Sequence, residues 1–123
     1  MTELVRRAQT AGVKVILSLG GADSNRRLSE RTATDSDLRR LADRLAQAVT
    51  QNQYDGIDVD WEAPENATDQ ARMNGLVKAL RERLPKSLIT MAVPSEDWSG
   101  KWYAREALLP HVDFLNVMIR TSF

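Results

Sequence analysis

Eight consecutive residues, Asp55-Gly56-Ile57-Asp58-Val59-Asp60-Trp61-Glu62, concentrate the side chains able to do chemistry: four carboxylic acids set among apolar neighbours. Ile57, Val59 and Trp61 alternate with Asp58, Asp60 and Glu62. A period of two predicts a strand with unlike faces, one apolar and one acidic. Every second residue is ~6.6–7 Å further along a strand, so the three in-phase carboxylates form a ladder. Mutual repulsion and burial each penalise ionisation, and each raises a carboxyl pKa. An acid kept protonated in this way can donate to a leaving group. Asp55 is out of phase with the others and reads as structural support. The bland alternative is a sheet edge with a solvated acidic face. Against it, Ala63-Pro64-Glu65-Asn66 breaks the strand directly after Glu62. Glu62 therefore stands at the C-terminal tip, where α/β barrels place their chemistry.

The elements around this stretch alternate in type. Leu4, Val5, Ala8 and Ala11 share a helical face over Thr2–Ala11, and Gly12 ends it. A helix this close to the first residue suggests that something preceded it. Val13–Leu19 is a nearly unbroken β-branched and aliphatic run, predicting a strand buried on both faces. Gly20-Gly21 closes it, and the polar stretch Ala22–Thr34 reads as a long loop, of the kind that more often serves function than structure. Thr34–Asp37 supplies capping chemistry for a helix of some four turns carrying Leu38, Leu41, Leu45 and Val49. After the acidic strand, Thr68 caps a helix through Leu84, stopped by Pro85. Leu88–Pro94 predicts a third strand, Trp98–Leu109 a short helix and Val112–Ile119 a fourth strand.

Helix and strand alternate throughout, which implies parallel strands joined by right-handed crossovers. A complete eight-stranded barrel needs ~250 residues, and this chain has 123. The fold class expected is α/β: a partial (β/α)8 TIM barrel of about four parallel β/α units. A small open doubly wound sheet ranks lower, because the first loop lacks the Gly-x-Gly-x-x-Gly fingerprint.

Composition narrows the function classes. Lys and Arg number 17, as do Asp and Glu, so charge gives no reason to expect a nucleic-acid partner. Cysteine is absent, which removes disulfides and thiolate chemistry and leaves the redox compartment undetermined. No apolar run approaches the ~20 residues of a membrane span, and the first residues lack the apolar segment of a signal peptide. Localisation stays open. The acids lie along one strand with no histidine beside them, so neither a metal nor another cofactor is implied.

Asp55-x-x-Asp58-x-Asp60-x-Glu62 resembles the signature of family 18 glycoside hydrolases, the chitinases and their relatives. Ser18-Leu19-Gly20-Gly21 is similar to the Ser-x-Gly-Gly that the family carries on the preceding strand. There glycine permits a tight turn and close approach of backbone to substrate. Ser18 is placed to donate to Asp58. By this resemblance residues 1–123 correspond to strands three to six of the family's barrel. The reaction implied is retaining hydrolysis of β-1,4-linked N-acetylglucosamine polymers, assisted by the substrate's own acetamide. Glu62 is then the general acid/base, Asp60 orients the acetamide, and Asp58 tunes Asp60. Gly20, Gly21, Met118 and Trp98 are candidate substrate contacts.

Val112–Met118 resembles the family strand ending in Met-x-Tyr-Asp, but Arg120 and Thr121 stand where that pattern has tyrosine and aspartate. A carbohydrate-binding protein without turnover is thus a second reading, and a truncated, inactive fragment a third. Chitin or its oligosaccharides is the expected partner, together with self-association of half-barrels to cover open edges. His111, the sole histidine, precedes a strand and reads as structural. Asn66-Ala67-Thr68 matches a glycosylation sequon, read as a chance match. Trp98 and Trp102, four apart, suggest packing on a helix face, with sugar stacking the alternative. Met91 and Met118 read as core or pocket lining.

Overall fold

The computed structural model of the protein describes residues 1–95, 101–103 and 105–119. In chain order the elements are α1 (Glu3–Thr10), β1 (Ile16–Gly21), α2 (Asn25–Arg31), α3 (Asp35–Gln51), β2 (Gly56–Trp61), α4 (Ala67–Arg83), β3 (Leu88–Pro94), α5 (Arg105–Leu108) and β4 (Phe114–Met118). Thr2 caps α1 by accepting the Val5 N–H, and Thr34 caps α3 by accepting that of Asp37, as hydroxyl caps do. The strands form one four-stranded sheet in the order β1-β2-β3-β4, and every pairing is parallel.

The core lies on one side of this sheet. Ile57, Val59 and Trp61 of β2 and Ile89 and Met91 of β3 are wholly buried against Met73, Leu76 and Leu80 of α4 and Ala42 and Val49 of α3. The helices α2 to α5 touch one another in sequence, α2 on α3, α3 on α4 and α4 on α5, as a single layer. A doubly wound sheet would be covered on both faces. Here the face carrying Ser18, Asp58, Thr90 and Phe114, in register across the four strands, is left outside the helical layer, as the inner wall of a barrel is.

Four expectations are corrected. The stretch Ala22–Thr34 is not a continuous loop: α2 occupies Asn25–Arg31 and buries Leu28. The first strand starts later than Val13, and it is not buried on both faces, since Ser18 and Gly20 are exposed on the open side. Its only neighbour among the described residues is β2. The cap of α4 is Asn66, two residues earlier than Thr68; its Oδ1 accepts the Asp69 N–H at 2.8 Å. Trp102 lies in a turn ahead of α5, not on a helix with Trp98, and Trp98 falls outside the described residues. No described helix is long and apolar enough to cross a membrane.

Candidate active site

The alternation in β2 delivers Asp58 and Asp60 to the open face, and Glu62 continues their phase one residue beyond the strand. The three acids are half-buried, while the apolar residues between them are fully buried. Asp58 receives a hydroxyl: Thr90 Oγ1, its neighbour in register on β3, donates to Oδ1 at 2.6 Å. Ser18 is the neighbour on the other side, but it is exposed, and the donor found on Asp58 among the described residues is Thr90. Sequence reasoning missed Thr90. Its one signal was a hydroxyl in the otherwise apolar run Leu88–Pro94.

Asp60 differs from Asp58. Its Oδ1 is buried with no hydrogen-bond partner among the described residues. Burial, then the charges of Glu62 and Asp58, then a hydrogen bond shared with Glu62 push its carboxyl from 3.8 up to about 6. This is the pattern expected of carboxylates set close together in a desolvated place. Asp60 therefore tends to hold its proton under mildly acidic conditions.

Gly20 and Gly21 close β1 in conformations that suit glycine. Gly20 has φ +104°, and a Cβ there would lie 2.1 Å from the Asp60 carbonyl oxygen. Only glycine lets the tip of β1 approach β2 so closely in that conformation. Gly21, at φ +103°, turns the chain in open space. The turn leads to Ser24 and Asn25, neither of which was singled out from sequence. The Ser24 hydroxyl donates to the Asp60 carbonyl at 3.2 Å and accepts the Glu62 N–H at 3.0 Å. The Asn25 N–H donates to the Glu62 carbonyl at 2.8 Å. Tyr103, also missed, is buried and donates its hydroxyl to the Trp61 carbonyl. Burial and the charges of Glu62 and Asp60 push its phenol above the usual range, so it stays a donor.

A cleft of about 1350 Å³ opens at this end of the sheet. Ala22, Glu62, Pro94 and Met118, at or just past the C-terminal tips of the four strands, all line it, as do Tyr103 and Trp102. Lys101 Nζ lies 5.1 Å from the centre of the Trp102 ring. Among the described residues no group of three or more His, Cys, Asp or Glu side chains is arranged to hold a metal ion. Trp98, Arg120 and Thr121 lie outside the described residues. Asp55 sits at the opposite end of β2, where its Oδ2 accepts the Val15 N–H at 2.7 Å and Gln9 Nε2 at 3.2 Å. The backbone of His111 bonds Leu108 and Arg81 Nε between α5 and β4, away from the cleft.

Comparison with known proteins bears on this arrangement. The model of the glycosyl hydrolases family 18 matches residues 1–120. A probable endochitinase of Caenorhabditis elegans is 32% identical over 119 residues, covering 86% of this chain and 19% of that protein. A class V chitinase of Medicago truncatula is 31% identical over 97 residues, covering 71% of this chain and 25% of that one. Among solved structures, catalytic domain 2 of the Ostrinia furnacalis group II chitinase superposes with a TM-score of 0.84 at 28% identity, over 94% of this chain and 34% of that chain. A chitinase-like agglutinin of Robinia pseudoacacia superposes with a TM-score of 0.82 at 27% identity, over 91% and 38% respectively. The chain thus spans between 19% and 38% of the length of these relatives.

Proposed function

The chain belongs to family 18 of the glycosyl hydrolases, and from that premise we propose that it carries the catalytic acids of a retaining hydrolase of β-1,4-linked N-acetylglucosamine polymers. Its four parallel strands are part of a (β/α)8 barrel; in the proposed alignment they are strands three to six. The observation that carries the reading is the Asp60–Glu62 pair at the strand tip. One carboxyl is raised to about 6 with a buried, unpartnered oxygen, and the other lines the cleft.

In the proposed reaction the acetamide oxygen of the bound sugar attacks its own anomeric carbon, while Glu62 gives its proton to the departing glycosidic oxygen. The proton shared by the pair then resides on the leaving group, and Asp60 is left as an anion. Its free Oδ1 accepts the acetamide N–H and offsets the positive charge of the cyclic intermediate. Asp58, fixed by Thr90, keeps negative charge behind Asp60. Glu62 next takes a proton from water, which opens the ring, and two displacements at one carbon retain its configuration.

Chito-oligosaccharide hydrolysis followed by proton NMR tests this. The first product is expected as the β-anomer, and Glu62→Gln is expected to lower turnover by at least about 100-fold with an unchanged melting temperature. Retained activity in Glu62→Gln, or an α-anomer as first product, overturns the assignment. One sequence feature favours a second reading, binding without turnover: Arg120 occupies the position where the family pattern has tyrosine. Calorimetric binding of chito-oligosaccharides with no product formed would select it.

A further inference from the structure

Two backbone bonds hold Glu62, and the helix start that supplies them is tied to one buried carboxylate outside the acid ladder. The Glu62 N–H is taken by Ser24 and its carbonyl by the N–H of Asn25. The Asn25 side chain is engaged at both ends: Oδ1 accepts Trp61 Nε1 at 2.7 Å, and Nδ2 donates to Asp69 Oδ2 at 3.1 Å. Asp69, on the first turn of α4, is only 5% exposed. It accepts two further donors, Ser29 Oγ at 2.7 Å and the Glu65 N–H at 3.0 Å. Arg72 Nη1 donates to Ser29 Oγ at 2.7 Å, which leaves the serine hydrogen for Asp69. The same carboxylate therefore ties down α2 on one side of Glu62 and the exit loop of β2 on the other.

The chemistry of the cluster favours a carboxylate. Asn25 Nδ2 and the Glu65 N–H can only donate, and the Arg72 guanidinium takes up one lone pair of the serine and leaves its hydrogen free to donate to Asp69. Burial pushes the Asp69 carboxyl up, but the bonds from Glu65, Ser29 and Asn25 and the charge of Arg72 outweigh it, so its pKa is lowered. An asparagine of the same volume would turn an amide N–H toward the Ser29 hydroxyl, which must then rotate its hydrogen away, and the charge facing Arg72 is lost.

We propose that Asp69 is a positioning residue for Glu62: by fixing the start of α2 and the β2–α4 loop together, it holds the Glu62 carboxyl against Asp60. The role in turnover rests on the hydrolase reading; the geometric role does not. Small displacements of a catalytic group cost rate steeply, on the order of 100-fold for 1 Å. Asn25, Ser29, Asp69 and Arg72 also line the cleft, so substrate binding is a second property the cluster touches.

The test is Asp69→Asn in the whole protein, read by carbon-13 NMR titration of the Asp60 carboxyl and by steady-state hydrolysis. With Glu62 released, Asp60 loses that neighbour's charge and hydrogen bond, and its titration is expected to move from about 6 toward the ordinary 3.8. The kcat is expected to fall by about 10- to 100-fold. A residue that only stabilises the fold would lower the melting temperature and leave both the Asp60 titration and kcat of the folded protein unchanged; that result overturns the proposal. If Asp69→Asn does not fold, Ser29→Ala removes one donor and its Arg72 link. A smaller shift of Asp60 in the same direction supports the role, and an unmoved titration overturns it. Absence of hydrolysis in the wild type would defeat the hydrolase reading, while the Asp60 titration would still decide the placing of Glu62.

Discussion

The two ends of the sheet use the same side chain for opposite purposes. At the N-terminal end, Asp55 exchanges backbone and side-chain bonds with Val15: its N–H donates to the Val15 carbonyl, and its Oδ2 accepts the Val15 N–H, both at 2.7 Å. Asp113 repeats the device with Ile89, at 2.7 Å and 2.8 Å, and adds Arg81 at 2.8 Å. Surrounded by donors, both carboxyls are held below the usual range: Asp55 chiefly by the Val15 N–H, Asp113 chiefly by the Ile89 N–H and then Arg81. At the C-terminal end Asp60 faces other carboxyls and is pushed up. An aspartate among N–H groups stitches strands together; an aspartate among acids stores a proton. The acidic tip is kept apart from the groups that hold the sheet, so it can carry unfavourable electrostatics without loosening the base.

The largest expected disturbance of the tip comes from Gly20→Ala. The new methyl would meet the Asp60 carbonyl at 2.1 Å in a conformation with φ +104°. Positive φ and steric overlap together are expected to cost at least ~2–3 kcal/mol, read by urea denaturation, and to displace the Ser24 bridge to Glu62. Gly21→Ala meets open space and is expected to cost ~1 kcal/mol, for its φ alone. Equal losses in the two variants would show that strand contact at Gly20 does not govern the tip.

This contrast was legible in the sequence only at the acidic end. Period two in Ile57–Glu62 follows from the backbone itself, so the faces, the phase of Glu62 and the odd position of Asp55 were all readable. The helix α2 was not. It has one buried residue, Leu28, and the Ser24 hydroxyl caps none of the helix's own N–H groups. Its contacts run to Glu62, Asp69 and Arg72, some 37 to 44 residues away. Thr90 was hidden for a related reason. Ser18 and Thr90 flank Asp58 on adjacent strands, and the sequence alone cannot say which hydroxyl turns toward it. Asp69 resembled any first-turn acid favoured by a helix dipole; only its burial separates it from that role.

The next effect tests the base. Asp55→Ala leaves the Val15 N–H without its carboxylate and is expected to cost about 1–2 kcal/mol at neutral pH, reduced from the full value for a charged partner because solvent screens the site. The folded pKa of Asp55 is lowered, so its contribution exists above the ordinary 3.8 and fades as pH falls below it. Wild type and variant should therefore converge in acid. The proposed hydrolysis should be unaffected once the variant is folded, because the candidate site lies at the other end of β2. A variant with full stability and lost turnover would mean that the two ends are coupled.

The smallest effect has the opposite sign, and it sharpens the comparison most. The folded pKa of Asp60 is raised from 3.8 to about 6, so the folded state binds this proton more tightly than the unfolded chain does. Its contribution to stability is complete below 3.8 and is lost as pH rises through about 6. Asp60→Asn has no proton to lose. The variant should match wild type near pH 4 and exceed it at pH 7 by roughly 1 kcal/mol, less than the ~1.4 kcal/mol per pKa unit would give because the carboxyl is partly solvated. Denaturant titrations at the two pH values measure the difference directly. A gain at pH 7 accompanied by loss of turnover means that the tip gives up stability for a stored proton. Equal stability at both pH values means that Asp60 relaxes into solvent and that the raised carboxyl belongs elsewhere in the ladder.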